Sequence, residues 1–146
     1  MMNRILEYVT GPTFQSRLSL VTDQTGWRPV SRNSKLAAFS LTYGGHEYEL
    51  FAEPRGDSVI LTAASNGRYA RRQFPPVLEQ VLLRRNRELE KFDWQLFHGS
   101  SSSWAILICS VKLAAWDGDL MRFATNRMLA EVELLDDGMR EHGLMS

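Results

Sequence analysis

The sequence predicts an α+β fold: a single antiparallel sheet of about five strands flanked by helices, in the order α-β-β-β-α-β-β-α. Three observations predict it. Two alternating runs, LAAFSLTY and HEYELFAE, are joined by Gly44-Gly45, and two glycines in that place supply the positive φ angles of a tight hairpin. A second pair of strand-like runs, FDWQLF and WAILICSVKL, flanks a turn made of Gly99 and four serines. Between and after these pairs, apolar residues recur at three and four over 77–89 and 120–139, as in helices that bury one face.

The elements follow in order. Residues 1–12 read as a short helix or a flexible arm, broken by Gly11-Pro12. From Thr13, Phe14, Leu18 and Val21 share a helical face, and Gly26 is placed to stop that helix. The hairpin register follows from its turn: Tyr43 faces His46, Leu41 faces Tyr48, Phe39 faces Leu50, and Ala37 and Ala52 join the same face. Ser40, Thr42, Glu47 and Glu49 fall on the other face, with Phe51 the one apolar exception. SVILTAA, apolar on both sides, reads as a more central strand. Ser65 to Gln73 is a polar connection. Pro75-Pro76 opens a helix whose spine is Leu78, Leu82 and Leu89. WAILICSVKL is the most apolar stretch and belongs inside the sheet. Asp117 or Asp119 caps a final helix that ends near Gly143 and spans roughly 37 Å at 1.5 Å per residue.

Bulk properties exclude several classes. A chain of 146 residues reads as one domain. Zero formal net charge advertises neither nucleic acid nor membrane, and it favours self-association. One cysteine, Cys109, forbids an intrachain disulfide, and no run approaches the roughly 20 apolar residues of a membrane span. The N-terminus lacks a signal-peptide core, so a cytoplasmic location is expected.

No catalytic or metal-binding constellation emerges. His46 and Glu47 point to opposite faces of a strand, and His98 and His142 are distant in sequence. Ser100 to Ser103 lack the motifs that surround a nucleophile or a phosphate cradle. Cys109 reads as a buried thiol. Neither metal nor cofactor is expected. Arg68, Arg71, Arg72, Arg84, Arg85 and Arg87 form a basic cluster in sequence. They offer a patch for nucleic acid or a phosphoryl ligand, or partners for the acidic final helix. Trp27 and Trp116 stand at element ends, where they can line a groove.

Several signposts carry a family resemblance: a short helix ending in Gly26-Trp27, the strand pair about Gly44-Gly45, the helix ending LLRRNREL, the strand FDWQLF, and an apolar strand leading into the last helix. From about Thr13 to Gly143 the chain resembles the YbjN family and the wider fold of type III secretion chaperones of the Tir-chaperone kind. It departs where Lys112-Leu113-Ala114-Ala115-Trp116 replaces a Leu-Pro-Leu-like segment. The resemblance implies a homodimer without enzymatic activity that binds an extended or amphipathic segment of another protein, as a chaperone or a regulator. Its groove is expected between the first helix and the exposed sheet face, lined by Phe14, Leu18, Trp27 and Phe51. The alternative is nucleic-acid or phospholigand binding through the arginines of 68–87.

Overall fold

The computed structural model describes residues 11–145, so most of the N-terminal arm, residues 1–10, lies outside the described residues. Helix α1 (Phe14–Thr25) is set by both ends. Thr13 and Ser16 cap each other, each side-chain oxygen accepting from the other's backbone N–H at 3.1 Å. Gly26, at φ 75°, returns its N–H to the Thr22 carbonyl. The chain then lays down β1 (Ser31–Arg32), β2 (Ala37–Tyr43), β3 (His46–Arg55), β4 (Ser58–Ala64) and β5 (Tyr69–Ala70). Helix α2 (Pro76–Glu88), β6 (Phe92–His98), β7 (Ser102–Lys112), a 3-10 turn (Leu113–Ala115) and helix α3 (Gly118–Glu141) complete it. Of the two candidate caps for α3, Asp117 does the work, its carboxylate accepting from the Leu120 N–H at 2.9 Å.

The sheet is antiparallel and has seven strands among the described residues, where the sequence predicts about five. The two extra strands are two-residue pairings, too short to show a period of two. One of them, β5, lies inside the polar connection of 65–73 and continues the line of β4 along β7, pairing Tyr69 with Ser103. The long strands run β2-β3-β4-β7-β6, so β4 and β7 are both interior, as their apolar character predicts. The β2–β3 register is the one the glycine turn dictates, from Tyr43↔His46 to Ala37↔Ala52.

The three helices among the described residues contribute to one core on one face of this sheet. Ala37, Phe39, Tyr48, Leu50, Leu61 and Leu107 point into it. Above them, α3 presents Met121, Met128, Leu129, Val132 and Met139. Leu18 and Val21 of α1 are wholly buried. Trp116, expected at a groove, is instead in the core: it has no exposed surface and stacks on Phe14 at 5.6 Å. The 3-10 turn before it folds the ring inward, and Arg17 holds that turn through the Leu113 and Ala114 carbonyls.

The α1–α3 crossing depends on a glycine. The Gly118 N–H donates to Gln24 Oε1 at 2.6 Å, and a Cβ on Gly118 would lie 2.4 Å from Gln24 Cβ. Alanine favours a helix over glycine by about 1 kcal/mol. Even so, Gly118→Ala is expected to lower stability by about 1–3 kcal/mol, through overpacking. Denaturant melts of double variants identify the cause. Gln24→Gly restores part of the loss, whereas Gln24→Ala, which keeps the Cβ, restores none; equal rescue by both would place the cost elsewhere.

Candidate protein-binding surfaces

The four residues expected to line one groove do not share a surface. Phe14 and Leu18 belong to the core under α1. Trp27 is half-buried at the end of that helix and packs against the same core. Phe51 points to the opposite side of the sheet, in register with Ala38 and Thr62. An apolar stripe on a short helix over a sheet is consumed by the core the two elements make together.

The basic cluster also divides. Arg68 stacks on Trp104, its guanidinium carbon 4.4 Å from the ring centroid, and donates to the Ser65 and Gly67 carbonyls. Arg71 and Arg72 are exposed before α2. Arg84 and Arg87 are exposed near the end of that helix, whose 13 residues set its two ends roughly 20 Å apart. Arg85 turns to the acidic final helix and grips Glu131, with Nε and Nη2 each within 2.8 Å of a carboxylate oxygen.

Glu131 is the junction of three elements. It accepts from Arg85 of α2 and from Trp94 Nε1 of β6 at 3.1 Å. Burial alone would raise its pKa, but the hydrogen bonds from Arg85 and Trp94 hold it below the ordinary glutamate value. Bonding to Glu131 raises that of Arg85 in turn. Asn86 fastens the same corner, its side chain bridging the Trp94 N–H and carbonyl. This clamp floors a groove of about 400 Å³ between α2 and α3. The rest of the groove is nearly all apolar, and its mouth exposes Val77, Val81 and Leu134.

A second apolar surface lies on the far side of the sheet, which no helix among the described residues covers. Phe51, Thr62 and Ile108 share one row across three strands. Ile106 lies in the next, and Trp104 and Phe97 pair beyond it with ring centroids 4.8 Å apart. Phe97 is 45% exposed. Sequence reasoning missed Val77, Val81 and Leu134 as surface residues, and most of this band. The available signals were Phe51 on an otherwise polar face and the two-sided apolar character of SVILTAA and WAILICSVKL.

The remaining candidates are structural. Cys109 is buried, and burial raises its thiol pKa. His98 Nδ1 lies 2.6 Å from Ser103 Oγ, which also accepts from the Arg72 N–H, but Ser103 is fully buried. Asp136, fully buried on α3, accepts from Ser65 Oγ at 2.5 Å and from the Asn66 N–H at 3.0 Å, anchoring the chain between β4 and β5. Burial raises its pKa despite these bonds. The Tyr48 hydroxyl is buried without a hydrogen-bond partner among the described residues. Burial, with the charge of Asp136 next, pushes it up to about 12. Among the described residues no three His, Cys, Asp or Glu side chains group to hold a metal, and no helix is long and apolar enough to cross a membrane.

No protein-family model matches the chain, and no curated protein matches its sequence. In fold it is similar to a solved structure from Yersinia pestis, the type III secretion chaperone SycH in complex with a stable fragment of YscM2. The TM-score is 0.57 at 12% sequence identity, over 84% of this chain and 99% of that one. The likeness is one of fold.

Glu131 and Asp136 make opposite contributions to pH dependence. Glu131 has a lowered folded pKa, so its stabilisation is present at neutral pH and is lost as pH falls through that value. Asp136 has a raised one, so its contribution is complete below the unfolded value and is lost as pH rises through the folded value. Mild acidification is therefore expected to stabilise the protein before stronger acid destabilises it. Asp136→Asn should abolish the first effect in denaturant titrations at stepped pH; a mild-acid gain that persists in this variant would have another origin. Glu131→Gln should cost about 1–2 kcal/mol at neutral pH, a figure kept low because Arg85 is partly solvated.

Proposed function

We propose that this protein is a non-enzymatic module that binds a segment of another protein, chaperone- or regulator-like, and that it works as a homodimer. The observation that carries the reading is the pair of apolar surfaces left uncovered on opposite faces of one small domain: the α2–α3 groove and the band on the open side of the sheet. Contiguous exposed apolar surface on a soluble domain marks an interaction site. The fold likeness to a secretion chaperone in complex with a protein fragment supports the same reading.

The two surfaces divide the work. The groove is the face for a second copy, because its mouth exposes Val77, Val81 and Leu134 around a nearly all-apolar lining. A two-fold axis sets these residues against those of the mate, an isologous contact in which every pairing occurs twice. The sheet band is left for the bound segment. Affinity at both comes from apolar burial at about 25 cal/mol per Å², less the entropy of association.

Native mass spectrometry and light scattering test the assignment. The wild-type protein is expected to be a dimer. Val81→Asp and Leu134→Asp, both at exposed positions, should leave the circular dichroism unchanged and give monomer. A dimer that survives both would place the second copy elsewhere, and a monomeric wild type would remove the homodimer from the reading.

A further inference from the structure

The open face of the sheet combines its apolar band with a definite pattern of charge. The band occupies the middle strands, with Thr62 on β4 and Trp104, Ile106 and Ile108 on β7, and Phe51 and Phe97 adjoin it. Along β3, Glu47, Glu49 and Glu53 alternate onto this same face. Asp93 faces out from β6 on the other side. Among the described residues the cations on this face are already engaged. Arg55 pairs with Glu53, Lys112 with Asp57, and Arg68 lies over Trp104 within electrostatic reach of Glu49. Among the described residues, Asp93 has only the neutral Gln95 as a side-chain hydrogen-bond partner. The result is an apolar trough rimmed by carboxylates along β3 and by the single Asp93 on β6.

Its dimensions select the occupant. From β3 to β6 there are three strand spacings, or roughly 14 Å between the rims. An α-helix with its side chains is about 10–12 Å across and fills that width, whereas a single extended strand reaches only one rim. From Trp104 to Ser110 the trough runs roughly 20 Å, the length of about fourteen helical residues. Acidic rims repel phosphate, which disfavours nucleic acid and anionic lipid.

We propose that the open sheet face docks a cationic amphipathic helix of another protein. Its apolar stripe would lie on Phe51, Ile106, Ile108 and Trp104, and its lysines or arginines would flank the stripe and meet Glu47, Glu49 and Asp93. The inference rests on the protein-binding reading and names the chemistry of the partner.

Two synthetic sixteen-residue peptides with the same leucine stripe, one flanked by lysine and the other by glutamate, test it against the isotopically labelled full chain. The lysine peptide is expected to shift backbone amides of β3, β4 and β7, and its affinity should fall with added salt. The exposed double variant Glu47→Lys/Glu49→Lys, with unchanged circular dichroism, should bind it about tenfold more weakly. Equal binding of both peptides at the sheet overturns the charge assignment. Shifts confined to α2 and α3 overturn the docking site and leave the protein-binding reading standing. No shift from either peptide at millimolar concentration overturns both.

Discussion

Much of the molecule hangs on one carboxylate. Glu131 sits where α2, α3 and β6 converge and takes hydrogen bonds from Arg85 and from Trp94 Nε1. A mostly buried carboxylate is costly unless its lone pairs are filled by charge-assisted donors, and here a bidentate guanidinium and an indole fill them. The geometry of that pairing fixes how far α2 stands from α3. With α2 held off in this way, Val77, Val81 and Leu134 are left without partners and the groove stays open.

The second constraint is that the three helices among the described residues lie on one face of the sheet. Once α3 has packed across β2, β4 and β7 with α1 against it, and α2 over β6, no helix among the described residues remains for the other face. An antiparallel sheet tolerates this when the open face is polar. Here β2 and the outer part of β3 comply, with Ser40, Thr42, Glu47 and Glu49, but β4 and β7 do not. The interior strands keep apolar residues on both sides, as in a sheet covered twice. That mismatch between pattern and architecture is the physical basis for reading the open face as a contact surface.

Some of this was legible without coordinates. Gly44-Gly45 admits one hairpin, and a slip of one residue would bring Glu47 and Glu49 into the core in place of Tyr48 and Leu50, so the β2–β3 register follows from the sequence. Thr13, Gly26 and Asp117 mark helix ends by local hydrogen bonding, and they do so whatever the helices pack on. The pairing of an arginine with the acidic last helix was also within reach. That the partner is Arg85, with Arg84 and Arg87 left in solvent, required the orientation of α2. The two-residue strands β1 and β5 were illegible because they carry no periodicity of their own; neighbours recruit them.

The candidate sites show where local reading stops. Phe14, Leu18 and Trp116 have the composition of a binding groove, and so does every core. Only the crossing of α1 over α3, with Gly118 against Gln24, decides that these side chains are enclosed. By itself the sequence determined the α+β class, the hairpin register, the glycine that stops the first helix and the interior position of the two most apolar strands, because those depend on neighbours within a few residues and on a period of two or near four. The tertiary structure alone decided which apolar residues face water, because exposure depends on what an element packs against and not on its own pattern.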